Sequence, residues 1–271
     1  MAGLLKALRL LVLVLALVVL IGPQAIGVRA HWAIARRIPV LFHRIALWAL
    51  GVRVGEIGHP PKETPTLVLA NHVSWLDIVV LGSLRPLSFV AKSEIAGWPL
   101  FGTLARLQRS IFIERERKAA TAEVNATIAR RLARGELIVL FAEGTTGDGG
   151  RILPFRTSLV GAARLALADH RLDAIALQPL SLVYVRRDGL PLDRRERPEI
   201  AWYGDMDLVP HLKGVVAGGP IDVEIRWGAP IPFDAQTDRK RAAARAEDEV
   251  RRGLNAGLGR CGEPPAPHPT R

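Results

Sequence analysis

The sequence predicts an α/β domain with a mainly parallel central sheet flanked by helices, preceded by an N-terminal hydrophobic helical membrane arm. Three observations predict it. Short β-rich runs alternate with segments of helical period, the pattern of strands joined by helical crossovers. Polar and glycine-rich clusters follow the carboxyl ends of those runs, where α/β sheets gather their functional loops. The chain is 49% hydrophobic, and the apolar excess is concentrated near its start.

The arm comes first. From Leu10 to Gly22 the chain is apolar without interruption, after Lys6 and Arg9. With Leu4 and Leu5 the stretch approaches the roughly 20 residues that cross a bilayer. Pro23 is expected to break the pattern. A second apolar stretch, Ile38 to Leu50, carries His43 and Arg44 and suits an amphipathic or re-entrant element at the interface, with Trp32 and Trp48 at headgroup depth. Residues 1–55 contain Lys6, Arg9, Arg29, Arg36, Arg37, Arg44 and Arg53 and no acidic residue, which is +7 of the formal +11. Such a segment is drawn to anionic headgroups, and its basic flanks favour the cytoplasmic side of the cell membrane. A cleaved signal peptide has the same form, but no small-x-small site follows closely.

Residues 56–258 are expected to form one globular domain and 259–271 a disordered tail, because RCGEPPAPHPTR offers nothing to build a core. The single cysteine, Cys261, lies in that tail, where it has no intrachain disulfide partner and no positioned base for thiol catalysis. Within the domain, Thr66–Ala70, Ser88–Ala91, Ile111–Glu114, Leu137–Phe141, Ala176–Val185 and Asp222–Trp227 read as strands. Helices are expected at Ser74–Leu84, Arg115–Arg134, Thr157–Ala168 and Asp238–Leu258, the last largely solvated by its Arg/Lys/Glu pattern.

The first strand runs into Asn71-His72-Val73-Ser74-Trp75-Leu76-Asp77. On a regular helix a five-residue step turns two side chains about 140° apart. His72 and Asp77 therefore meet only if the histidine lies in the turn and the aspartate in the helix's first turn. Ser74 as N-cap, with an acidic residue three positions on, favours that geometry. The same residues also fit a plain capped helix with an idle loop histidine. An imidazole, with an ordinary pKa of about 6.5, suits a general base, and a neighbouring carboxylate fixes its tautomer. No Gly-x-Ser-x-Gly elbow supplies a nucleophile, so the pair points to activation of a substrate hydroxyl.

Two further blocks stand out: Ser110-Ile111-Phe112-Ile113-Glu114-Arg115, and Phe141-Ala142-Glu143-Gly144-Thr145-Thr146 with its glycine-rich continuation to Arg156. Backbone N–H groups of that loop can hold an anion or a polar headgroup. The loop matches neither a Walker A sequence nor a dinucleotide fingerprint, and no His/Cys/acid pattern suggests a metal.

The order and spacing of these blocks resemble the glycerolipid acyltransferase family, which includes the bacterial 1-acylglycerol-3-phosphate acyltransferases. Asn71, His72 and Asp77 match its NHxxxxD block in full. SIFIER approximates a second block, FAEGTT a third usually written FPEGTR, and Pro179 a fourth. The resemblance spans about residues 60–190. It implies His72 as general base, Asp77 as its orienting partner, Glu143, Gly144 and Thr145 as shapers of the acceptor pocket, and Arg115, with Arg156, as holders of an anionic headgroup. It implies no metal and no cofactor. The partners are a lysolipid acceptor, membrane lipids, and acyl-CoA or acyl carrier protein as the acyl-donor substrate.

The expected product is phosphatidic acid, made from 1-acyl-sn-glycerol-3-phosphate on the cytoplasmic face. Thr146 departs from the pattern. It stands where the family has an arginine, and a hydroxyl cannot make a fork-shaped cationic contact. Arg151 or Arg156 can compensate, or the acceptor is lyso-ornithine lipid, a branch that the segment Trp202–Leu212 (WYGDMDLVPHL) also resembles. A thioester hydrolase using the same pair is one competing reading. A non-catalytic, basic, membrane-tethered binding protein is another; a sequence pI of 10.8 supports it, but no nucleic-acid motif accompanies the charge.

Overall fold

The computed structural model describes residues 2–62, 64–113, 118–170 and 172–259. Its strands are β1 (Val52–Ile57), β2 (Thr66–Ala70), β3 (Ser88–Lys92), β4 (Ile111–Ile113), β5 (Ile138–Phe141), β6 (Ile175–Arg187), β7 (Leu190–Pro191), β8 (Ile221–Trp227) and β9 (Ile231–Phe233). They form one sheet in the order β1-β8-β6-β2-β5-β3-β4, with β7 and β9 also on β6. The pairs β1·β8, β2·β6, β2·β5, β3·β5 and β3·β4 are parallel, whereas β6 pairs antiparallel with β7, β8 and β9. The mainly parallel sheet expected from the sequence thus acquires an antiparallel flank: β9 pairs with Ile175–Leu177 of β6, β8 with its stretch from Leu180 to Arg187, and β7 with Arg186 and Arg187.

Every residue of β2 and β5 is buried, which is why both read as continuous apolar runs. Alternate β2 residues face opposite layers. Leu67 and Leu69 join the core under α5 (Lys118–Ala133), α6 (Gly161–His170) and α8 (Arg239–Gly259), while Val68 and Ala70 join the core under α2 (Ile38–Leu50) and α3 (Leu76–Leu84). Helix α8 is largely solvated, as its Arg/Lys/Glu pattern leads one to expect, but it presses one apolar face of Ala242, Ala243, Ala246, Val250 and Leu254 onto β6; its charged residues occupy the other side.

Five of these strands and helices were hidden in the sequence, the very short β7 and β9 among them. Gly55 and Glu56 dilute the strand signal of β1. Helix α4 (Phe101–Leu107) is short, and α7 (Leu208–Ala217) contains Pro210, which reads as a breaker but sits in the first turn, where no N–H donor is required. The expected domain boundary at 55/56 falls inside β1, which pairs with β8 along its whole length. Residues 260–271, with Cys261, lie outside the described residues.

The arm differs from expectation in two ways. Helix α1 (Ala2–Arg29) does not stop at Pro23. The next residue, Gln24, is buried and donates to the carbonyls of Ala35 at 3.0 Å and Leu107 at 2.7 Å, which holds the following turns in place. At the other end Lys6 Nζ donates to Gly218 O at 2.6 Å, just past α7. Helix α2, expected at an interface, packs between α1 and α3 and buries His43, Ala46, Leu47, Ala49 and Leu50. The span Gly3–Arg29 is long and apolar enough to cross a membrane, and its outer leucines and valines are exposed.

Candidate active site

The site begins where β2 ends. Asn71 Nδ2 donates to Leu182 O at 2.9 Å and Asn71 Oδ1 accepts from Leu182 N–H at 2.8 Å, so a side-chain amide prolongs the β2·β6 ladder after the backbone has left it. The chain then turns, and His72 and Asp77 meet: Nδ1 and Oδ2 are 2.7 Å apart. Asp77 Oδ2 also accepts the backbone N–H groups of Val73 at 2.7 Å and Ser74 at 3.0 Å. Ser74 does not cap the helix as expected. Trp75 holds the N-cap position, the Asp77 N–H donates to the Ser74 carbonyl at 3.1 Å, and the buried Ser74 hydroxyl has no partner among the described residues.

A carboxylate oxygen already accepting two N–H groups also accepts the ring hydrogen, so Nδ1 carries the proton and Nε2 keeps its lone pair. The ring lies flat on Phe141, with centroids 3.8 Å apart and planes 10° apart. On the far side of Asp77, Tyr184 donates its hydroxyl to Oδ1 at 2.7 Å. Nothing local in the sequence marks this contact. Its only trace is alternation along β6, which sends residues 180, 182 and 184 to one face.

The loop after β5 wraps the same turn. Gly147 N–H donates to His72 O at 2.8 Å, and Gly144 N–H to Phe141 O at 3.0 Å. With Gly150 N–H on Asp148 at 2.9 Å, these loop donors are engaged within the protein and not directed at an anion. Gly144 has φ +74°, and a Cβ there would lie 2.7 Å from Arg156 Nε, so glycine alone lets Arg156 rest over the loop. Arg156 is exposed and its N–H donates to Ala142 O at 2.8 Å.

Glu143 is buried beneath the loop. Burial pushes its pKa up to about 8; the backbone N–H groups of His72 and Leu153 oppose the rise, and the charges of Asp77 and Glu247 add to it. Its Oε2 has no hydrogen-bond partner among the described residues. The carboxyl is therefore largely protonated at neutral pH and able to donate.

His72, Gly144, Thr145 and Thr146 line a cavity of about 750 Å³. Its walls are apolar: Leu10, Leu13 and Leu17 from α1, Phe42 from α2, Phe101 from α4 and Leu212 from α7. His43 contributes to the wall with its pKa held to about 4 by burial, so it is neutral there. The structure thus gathers His72, Asp77, Glu143, Gly144 and Thr145, with Arg156 alongside. Arg115 and Glu114 lie outside the described residues; β4 ends just before them, paired with β3. Pro179 stands in β6 opposite Leu69. An imidazole held through Nδ1, a neutral carboxylic acid and a mainly apolar cavity suit proton removal from a hydroxyl beside a bound hydrocarbon chain.

Residues 51–183 match the family model described as Acyltransferase. A lyso-ornithine lipid O-acyltransferase of Brucella abortus (strain 2308) is 46% identical over 223 residues, 82% of this chain and 84% of that protein. A 1-acyl-sn-glycerol-3-phosphate acyltransferase of Neisseria gonorrhoeae is 31% identical over 208 residues, 76% of each chain. The crystal structure of the 1-acyl-sn-glycerophosphate acyltransferase from Thermotoga maritima shares the fold, with a TM-score of 0.62 at 20% identity, over 94% of this chain and 97% of that one. Similarity of that extent, over most of each protein, makes this chain a member of the glycerolipid acyltransferase family and an O-acyltransferase.

Proposed function

We propose that the enzyme transfers a fatty acyl group from acyl-CoA or acyl carrier protein to the free hydroxyl of lyso-ornithine lipid, with His72 as general base. The observation that carries the chemistry is the 2.7 Å contact of His72 Nδ1 with Asp77 Oδ2, on a histidine that lines the mainly apolar cavity. Asp77 orients the ring, and Nε2 takes the proton of the acceptor hydroxyl. The oxygen attacks the thioester carbonyl, and the tetrahedral intermediate expels the thiolate, which takes up the proton from the imidazolium. A thiol of pKa near 8.5 leaves readily, so neither an enzyme nucleophile nor a cofactor enters the scheme. Glu143, Gly144 and Thr145 shape the acceptor pocket, and Arg115 and Arg156 hold the acceptor's anionic group.

The sequence ranked 1-acyl-sn-glycerol-3-phosphate first and lyso-ornithine lipid as the alternative. Two observations reverse that order. The relative at 46% identity carries the lyso-ornithine name, against 31% for the glycerophosphate enzyme. Thr146, where a phosphate-binding arginine would stand, lines the cavity as a neutral hydroxyl. A carboxylate headgroup asks less of the site's cations than a phosphate does. The exposed apolar side of α1 fits a cell membrane that supplies the acceptor, with the active site facing the cytoplasm and its donors.

An acceptor panel tests this reading. Purified enzyme in detergent, given acyl-CoA, should acylate lyso-ornithine lipid with a kcat/KM at least about tenfold above that for lysophosphatidate, a difference of roughly 1.4 kcal/mol. The reverse order would restore the phosphate acceptor. Release of free acid without lipid product would make the protein a hydrolase.

A further inference from the structure

One buried hydroxyl at the site has no part in this scheme. Tyr184 is 5% exposed, and its 2.7 Å hydrogen bond to Asp77 Oδ1 comes from a strand 107 residues further along the chain. The other oxygen of that carboxylate carries the His72 ring and the N–H groups of Val73 and Ser74. Those three donors all belong to one short turn and hold one oxygen. Tyr184 holds the other, from the opposite side, and ties the turn to the sheet.

The fold explains how the hydroxyl arrives there. In β6, Leu180 stands opposite Ala70, the last residue of β2, and Leu182 is bound by the Asn71 side chain. Two residues on, Tyr184 faces the same layer as both leucines, the layer to which Leu76 and Val80 of α3 belong. The register of β6 against β8 shifts directly after it, between Tyr184 and Arg186. Burial first, and then the neighbouring Asp77 charge, pushes the phenol's pKa well above its usual value, so it remains a donor across the working range.

We propose that Tyr184 is a positioning residue for acyl transfer: it pins the Asp77 carboxylate so that Oδ2 keeps hold of His72 Nδ1–H and the ring's other nitrogen stays directed at the acceptor. A base held by a free-turning carboxylate would lose aim, and small misplacements of catalytic groups are costly. The inference rests on His72 being the base.

Tyr184→Phe keeps the ring and removes the donor. It should lower kcat by roughly 10- to 100-fold while leaving the KM of donor and acceptor within about twofold. Rates are expressed per donor site, counted by equilibrium binding of labelled acyl-CoA, so that loss of folded protein does not enter kcat. In an Asp77→Asn background the same change should cost no more than about a further twofold, because both act through one bond. A Tyr184→Phe enzyme with kcat within about twofold of the native value, or fully additive losses in the double variant, would overturn the assignment. His72→Ala in the same assay separates the two levels: if it still turns over, the base assignment has failed. If it is inert while Tyr184→Phe is unimpaired, only the role of Tyr184 has.

Discussion

Glu143 makes the site sensitive to pH in a direction that can be derived. In the folded chain it keeps its proton to about pH 8, whereas the ordinary value is 4.5. Between those values the folded state binds more protons than the unfolded one, so stability falls as pH rises through the window, by at most about 1.4 kcal/mol per unit. Glu143→Gln has no proton to lose. Its melting temperature relative to the native enzyme should therefore climb from about pH 5 to about pH 9, as followed by thermal unfolding in detergent. Thr146→Arg belongs to the same scale: it should raise kcat/KM for lysophosphatidate relative to lyso-ornithine lipid by about tenfold, read from the acceptor panel. The sequence exposed the His72–Asp77 pair because both partners lie in one turn, where spacing limits geometry. Tyr184 stayed hidden because its contact is made across the sheet. The Ser74 hydroxyl went unused because the helix is capped one residue later, at Trp75, and the Asp77 N–H donates to the Ser74 carbonyl instead of to its side chain.

At the scale of elements, helix α1 is the part whose role the sequence least disclosed. Its hydrophobicity was plain, but an apolar run looks the same whether it meets lipid or lines a cavity. Leu10, Leu13 and Leu17 line the cavity, while Leu4, Leu11 and Val18 are exposed. Leu17→Trp should fill part of that space and shift donor preference toward shorter acyl chains, the ratio of long- to short-chain turnover falling about tenfold in a donor series. Strands β2 and β5 were legible because burial on both faces leaves an unbroken apolar run. Helices α4 and α7 were not, since one is barely two turns long and the other carries a proline in its first turn.

The whole molecule binds its arm to its catalytic domain more closely than composition suggested. Helix α2 belongs to the core and β1 to the sheet, so removing residues 1–50 would strip buried surface from the domain. Removing residues 2–29 alone is the cleaner experiment. It should shift the protein from the membrane pellet to the supernatant on centrifugation, and lower turnover in detergent by at least about tenfold, because the cavity loses a wall. Full activity in the truncated enzyme would show the cavity to be complete without α1. As the structure stands, Lys6 and Gln24 fasten the two ends of that rod, and one flank of it looks onto the space beside His72 while the rest is greasy and bare. Whatever tilts the rod alters the room left for hydrocarbon, so a thicker or stiffer bilayer would be felt as a change in which chains are accepted. The catalyst would then gauge the very sheet of lipid to which it contributes.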